Sequence, residues 1–148
     1  MKFSENGQYL KYMAAFADGK YEAARTALEE CLKDFSETTY QRAFLLQRLG
    51  EISFLEGHED QCISYFQSAE AADATSLQPR HAFAEFLARR LKRFDDAVKK
   101  CDEILLNATA FPFEETEEDL GSDYYIARAN ELKAFCEETR NTGNPATS

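Results

Sequence analysis

The residue types best suited to chemistry in this chain are its cysteines and histidines. The four cysteines are Cys31, Cys62, Cys101 and Cys136. None belongs to a CxxC pair, and His58 and His81 do not stand near them at the spacing of zinc ligands. Each cysteine instead falls within an apolar helical stripe. The pattern favours buried, free thiols in a reducing compartment, with a disulfide or metal site as the alternative, and no cofactor is expected.

Motifs for enzymatic chemistry are missing from the sequence. It contains no glycine-rich phosphate loop and no nucleophile elbow. His58 falls in a predicted turn and His81 near a predicted helix start, which favours structural or surface roles. A Cys–His pair brought together only by the fold is the alternative that sequence spacing does not test. The sequence therefore predicts a protein that is not an enzyme.

The net charge limits the classes of partner that the protein is expected to bind. The chain has 148 residues, a formal net charge of −10 and a pI of about 4.7. Such a charge opposes general binding to nucleic acid and to anionic membrane surfaces. The first residues lack a signal-peptide pattern, and no segment approaches the roughly 18 apolar residues of a membrane span. We therefore expect a cytoplasmic protein whose partner is neither nucleic acid nor membrane.

An acidic run at residues 114–119 is the densest charge cluster. It lacks the Asp-x-Asp-x-Asp-Gly order of a calcium-binding loop. A solvated linker is the favoured interpretation, and contact with a basic partner or a cation is the alternative.

The apolar residues recur at spacings of three and four, and no segment alternates with period two. This pattern predicts an all-α fold, and the length predicts one domain. The predicted helices begin near residue 5, at 21, at 40, at 59, near 79, at 94 and at 122. Thr38 and Gln41 fit a capping box, and Ser122 is a predicted N-cap. Residues 107–121 are expected to form an acidic, irregular linker, and residues 141–148 a flexible tail.

Three predicted helix pairs share one spacing. The predicted turn residues are Gly19, Gly57 and Lys92. At the same distance after each turn stands a small residue, and these are Ala24, Cys62 and Ala97. One helical turn later come Leu28, Phe66 and Cys101. The equal spacing indicates an internal repeat, with an ordinary helical bundle as the alternative.

The middle pair carries the clearest motif. Gly50 and Cys62 are small enough to let two helices approach closely, while Leu49, Phe54 and Phe66 are large enough to fill the seam. The Leu49-Gly50 pair followed by Cys62-x3-Phe66 resembles the tetratricopeptide repeat family. The resemblance implies an α-solenoid, a right-handed superhelix of three antiparallel helix pairs with a seventh, capping helix. The implied repeats span residues 8–36, 42–75 and 78–108, and the capping helix spans 122–139.

The same resemblance implies a function. The first helices of the pairs would line a concave groove that binds an extended or helical peptide, so the expected role is a protein-interaction module. The candidate groove residues are Tyr9, Met13, Phe16, Phe44, Gln47, Arg48, Glu51, Phe54, Phe83, Phe86, Arg89 and Arg90. The arginines would suit a segment that carries a carboxylate, whereas Arg89 and Arg90 are also typical of a helix C-terminus. A small acidic chaperone similar to those of bacterial secretion systems, or a self-associating scaffold that forms homo-oligomers, are the alternatives.

Overall fold

The structure, a computed structural model, describes residues 2–36, 39–116 and 120–142. These residues form helices and connections, and no strand occurs within the described ranges. A 3-10 turn at Phe3–Glu5 precedes seven helices, which are α1 (Gly7–Ala17), α2 (Tyr21–Asp34), α3 (Thr39–Leu55), α4 (Glu59–Ala72), α5 (Gln78–Arg89), α6 (Phe94–Ala110) and α7 (Ser122–Asn141). The predicted all-α class is confirmed.

The chain divides into two compact units, Met1–Ala74 and Thr75–Ser148. In the first unit, α1 packs against α2, α2 against α3, and α3 against α4. In the second unit, α5 packs against α6, and α7 packs against both of them. The three predicted helix pairs are therefore present. Their stacking into one continuous solenoid, and with it the single domain, stays a prediction.

One turn geometry recurs in all three pairs. The residues with positive φ are Gly19 at 71°, Gly57 at 84° and, as the non-glycine case, Lys92 at 59°. The residue after each of them caps the next helix with the same ψ of 76°, and these caps are Lys20, His58 and Arg93. A single left-handed residue thus reverses the chain at each of the three positions that the sequence predicted.

Backbone hydrogen bonds close these turns. In the first, the N–H of Lys20 donates to the carbonyl of Ala15 at 2.9 Å, and in the second the N–H of His58 donates to the carbonyl of Ser53 at 2.8 Å. Both follow the Schellman pattern of helix ends. The third turn is one residue wider, because the N–H of Arg93 reaches back to the carbonyl of Leu87 at 2.8 Å.

The residues predicted at equivalent places after the turns all lie in the interior. Ala24, Cys62, Ala97, Leu28, Phe66 and Cys101 are buried. Each pair therefore presents the same face of its second helix to its first helix, since residues four apart lie on one side of a helix.

The structure corrects two local predictions, and other predictions fall on residues that it does not describe. Helix α6 continues to Ala110, although residues from 107 onward were predicted to be irregular, because Ala108 is buried and Asn107 donates to the carbonyl of Glu103 at 2.8 Å. Gly121, and not Ser122, is the N-cap of α7, since the Ser122 hydroxyl instead accepts the N–H of Phe113 at 2.6 Å. The predicted capping box at Thr38 lies outside the described residues, as do residues 117–119 of the acidic run and residues 143–148 of the tail.

The close approach of α3 and α4 is centred on Gly50. A Cβ atom placed on Gly50 would lie 2.9 Å from two ring carbons of Phe66 and 3.2 Å from the carbonyl oxygen of Cys62. Phe66 is fully buried, so its ring has no open space into which to move. The predicted contact between Gly50, Cys62 and Phe66 is confirmed.

Substitution of Gly50 tests this contact. Gly50→Ala should lower the free energy of unfolding by about 1 kcal/mol, because overpacking outweighs the gain in helix propensity, and Gly50→Leu should lower it by about 3 kcal/mol. Gly7→Ala is the control, since no atom lies within 4 Å of a Cβ at that position. Urea unfolding of the three variants would measure the effects. A Gly50→Ala protein as stable as the wild type would contradict the tight contact.

Lys92 offers a second test, of the turn geometry. A left-handed conformation costs a non-glycine residue about 1–2 kcal/mol, so Lys92→Gly should stabilise the protein by about 0.5–1 kcal/mol. Lys99→Gly, at an exposed position inside α6, should instead destabilise it by about 1 kcal/mol. Thermal unfolding measures both variants. Equal destabilisation by the two glycines would mean that the turn does not require a left-handed residue.

Candidate functional site

A small pocket in the first unit lies between α1 and α3, the first helices of the first two pairs. Its volume is 180 Å³. We call it the α1–α3 pocket, and its lining residues are Tyr9, Tyr12, Met13, Phe16, Ala17, Phe44 and Arg48. The structure thus brings together five of the predicted groove residues, namely Tyr9, Met13, Phe16, Phe44 and Arg48.

Asn6 positions α1 beside this pocket. Its side-chain oxygen accepts the N–H of Tyr9 at 2.9 Å and so caps the helix. Its side-chain nitrogen donates to the carboxylate of Asp34, at the end of α2, at 2.8 Å. Asn6 is buried, so water does not compete with either hydrogen bond. The start of α1 is therefore anchored to the end of α2.

The aromatic ring of Phe3 also anchors the start of α1, through contacts with other aromatic rings. Its ring centre lies 4.7 Å from that of Tyr9, 5.3 Å from that of Phe44 and 4.9 Å from that of Phe35. These rings belong to α1, to α3 and to the residue that ends α2. The 3-10 turn therefore ties three helices together at one end of the α1–α3 pocket.

Sequence reasoning missed Phe3, Asn6 and Tyr12. Tyr12 had an available signal, because it follows Tyr9 by three residues and precedes Phe16 by four, as expected for one helical face. Its ring lies between theirs, with centres at 5.4 Å and 5.8 Å. Phe3 and Asn6 precede the periodic pattern of α1, so periodicity does not identify them.

Beside the pocket, α1 exposes an apolar surface. We call it the α1 stripe, and it consists of Leu10, Met13, Ala14 and Ala17, which follow the spacing of one helical face. Leu10 and Met13 are each 51% exposed. Helix α1 contains one cation, Lys11, and neither aspartate nor glutamate, in a chain with 27 such acids. An exposed apolar stripe of this kind is typical of interaction surfaces.

Arg48 is the charged member of the pocket lining. Its guanidinium carbon lies 5.1 Å from the centre of the Phe44 ring, and one terminal nitrogen lies 3.1 Å from a carboxylate oxygen of Glu51. Its Nε is buried and has no hydrogen-bond partner among the described residues. Burial raises the pKa of the Tyr12 hydroxyl, and the positive charge of Arg48 partly opposes this rise. Arg48 therefore places a cation at the edge of an aromatic pocket.

Two predicted groove residues are interior instead. Gln47 is 1% exposed and Phe83 is 4% exposed. Gln47 lies one turn from Ala43, and Phe83 one turn from Leu87, both of which are buried, so each falls on a core-facing side of its helix. These two side chains do not present a surface to a partner. Phe54, also predicted, is half-buried in the last turn of α3.

The remaining predicted residues belong to the second unit. The Nε of Arg89 donates to a carboxylate oxygen of Glu85 at 2.7 Å, and its guanidinium carbon lies 4.5 Å from the centre of the Phe135 ring on α7. Arg90 is exposed, with its guanidinium 5.3 Å from the Phe86 ring centre. Arg89 is therefore engaged between α5 and α7 within its own unit.

The four cysteines lie within α2, α4, α6 and α7. All four are buried and free, as predicted. Burial raises the pKa of the Cys31 thiol to about 11 and that of the Cys101 thiol to about 12, and it also raises the pKa of Cys136. Thiols with such values stay protonated near neutral pH and are poor nucleophiles and poor metal ligands.

His81 is packed between α5 and α7. Its ring centre lies 6.0 Å from that of Tyr124 and 5.8 Å from that of Tyr125, and its Nε2 lies 3.6 Å from Glu85. Burial lowers the pKa of His81, Glu85 opposes this effect, and the positive charge of Arg128 adds to it. The neutral imidazole is therefore favoured in the folded state.

This burial makes stability depend on pH. The unfolded chain, in which the histidine has its ordinary pKa of 6.5, binds a proton before the folded chain does. The free energy of unfolding should therefore decrease as the pH falls through about 6.5, and His81→Gln should flatten this dependence. Urea unfolding across that range measures it, with His58→Gln in the exposed α3–α4 turn as control. Equal slopes for wild type and His81→Gln would contradict the assignment.

Within the described ranges, no group of three or more His, Cys, Asp and Glu side chains is placed to hold a metal ion. None of the helices of those ranges combines the length and the apolar character that crossing a membrane requires.

Comparison with protein-family models gives no match, and comparison with curated proteins gives no significant match. The tetratricopeptide resemblance therefore stays a prediction that depends on the residues and turns described above.

Proposed function

We propose that this chain is a protein-interaction module that binds a peptide segment of another protein at the α1–α3 pocket and the α1 stripe. The observation that carries the proposal is the exposure of Leu10 and Met13, each at 51%, beside an aromatic pocket. Covering these side chains with a partner would remove apolar surface from water, which is the main driving force of most protein association.

The size of the pocket supports a peptide over a small molecule. Small-molecule sites usually enclose roughly 300–1,000 Å³, whereas this pocket has 180 Å³. A pocket of this size suits one anchoring side chain of a longer ligand, with the rest of that ligand lying along the α1 stripe. The aromatic lining is typical of the hot spots at which such anchors bind.

The repeated turn geometry supports the wider proposal of a tetratricopeptide-like module. Gly19, Gly57 and Lys92 each supply one left-handed residue before the second helix of a pair, and the α1–α3 pocket forms between the first helices of two consecutive pairs. Repeat proteins of stacked helix pairs use such surfaces to bind extended partners. We therefore propose a binding role and not a catalytic one.

An affinity experiment with matched variants tests the proposal. The immobilised full chain should retain a partner protein that the Met13→Glu variant retains at least about tenfold less, because a charged side chain at an apolar contact loses its hydration. Leu106→Glu is the control, since Leu106 is 71% exposed on α6 in the second unit. Quantitative mass spectrometry of the retained proteins measures the difference.

The outcomes of this experiment separate the alternatives. Equal retention by Met13→Glu and the wild type would overturn the proposed site. If the protein retained in a Met13-dependent manner were the chain itself, a self-associating scaffold would be the correct interpretation, and light scattering would then show a mass that rises with concentration.

A further inference from the structure

We infer that the peptide segment bound at the α1–α3 pocket carries an apolar side chain with a carboxylate close beside it, and that Arg48 binds this carboxylate in competition with Glu51. This inference rests on the proposed function, because it specifies the chemistry of the ligand at the same site.

The apolar half of the ligand follows from the surface that it would cover. Tyr12 and Phe16 form the inner wall of the pocket, and Met13 stands at its exposed edge. The α1 stripe extends this surface along the helix through Leu10. A polar side chain over the α1 stripe would lose its water without gaining a hydrogen-bond partner, because all four side chains of the stripe are apolar.

The carboxylate follows from the charge that faces the pocket. Arg48 is the one charged residue in the pocket lining, and its side chain is 32% exposed. Guanidinium groups bind carboxylates through paired hydrogen bonds. Helix α1, which forms the other wall, has no carboxylate of its own to repel an acidic ligand.

The net charge of −10 would favour a basic ligand at long range. Salt limits this effect, because the Debye length is about 8 Å at physiological ionic strength. At contact distance the local groups decide, and a lysine of a basic ligand in the pocket would meet Arg48, which lines the pocket, whereas Glu51 does not line it. The local charge therefore outweighs the overall charge at this site.

Glu51 gives the site its selectivity. Its carboxylate lies 3.1 Å from Arg48, and both side chains are partly exposed. Ion pairs of this kind contribute little to stability, so a ligand carboxylate can displace Glu51 or share the guanidinium with it. A ligand without a carboxylate leaves the Arg48–Glu51 ion pair intact and forms no ion pair of its own with Arg48.

A random peptide library displayed on phage and selected against the full chain tests the inference. The selected peptides should combine an apolar residue with a neighbouring aspartate or glutamate. Fluorescence anisotropy then compares a selected peptide with a copy in which the acid is replaced by its amide, which should bind about tenfold more weakly.

Three variants locate the effect. Arg48→Gln should remove the difference between the acid and amide peptides, and Glu51→Gln should strengthen binding of the acid peptide about threefold by freeing Arg48. Arg90→Gln is the matched control, because Arg90 stacks on Phe86 four residues earlier as Arg48 stacks on Phe44. Circular dichroism verifies that each variant is folded, and the opposite directions expected for Arg48→Gln and Glu51→Gln separate recognition from a loss of structure.

A failure of the inference can be told apart from a failure of the proposed function. Selected peptides that lack acids but need Met13 for binding, or acid peptides that bind Arg48→Gln as well as the wild type, would overturn the inference and leave the proposed function standing. A selection that gives no peptide whose binding depends on Met13 would overturn both.

Discussion

The left-handed residue in each helical hairpin is the constraint on which the rest of the structure depends. At Gly19, Gly57 and Lys92 the chain reverses within a few residues, and the next helix begins from the same backbone conformation each time. Because the starting geometry is the same, the same side of each second helix turns inward. One backbone torsion therefore determines which side chains become the core of a pair.

The residues on that inward side then set how closely the helices approach. Where both partners are small, as at Gly50 and Cys62, the backbones come near enough that a single added methyl group would collide with Phe66. Between the first and the second pair, by contrast, Tyr12 and Phe16 are large and project from α1 beside Phe44 of α3. Large side chains on neighbouring first helices leave a space between them, and that space is the α1–α3 pocket.

The pocket combines features that a folded core alone does not require. Leu10 and Met13 of α1 are exposed, whereas Tyr12 of the same helix is buried. Arg48 places a cation at the aromatic surface, and the carboxylate of Glu51 lies beside that cation. An apolar stripe next to a partly neutralised arginine is the surface that we propose for a ligand with both an apolar and an acidic group. In the second unit the exposed Arg89 pairs with Glu85 and lies against the Phe135 ring of α7.

The helices, their pairing and the turn residues could be predicted from the sequence, because helical periodicity and glycine conformation are local properties. It also identified five residues of the pocket through their place on the first helices. Which candidates a partner can reach depends on the packing of the helices, which leaves Gln47 and Phe83 interior. Packing also sets Arg89, although exposed, against Phe135, and it adds Phe3, Asn6 and Tyr12 to the site or its support. The reason is physical, since burial and ion pairing depend on residues that are distant in the chain, and a periodic pattern contains no information about them.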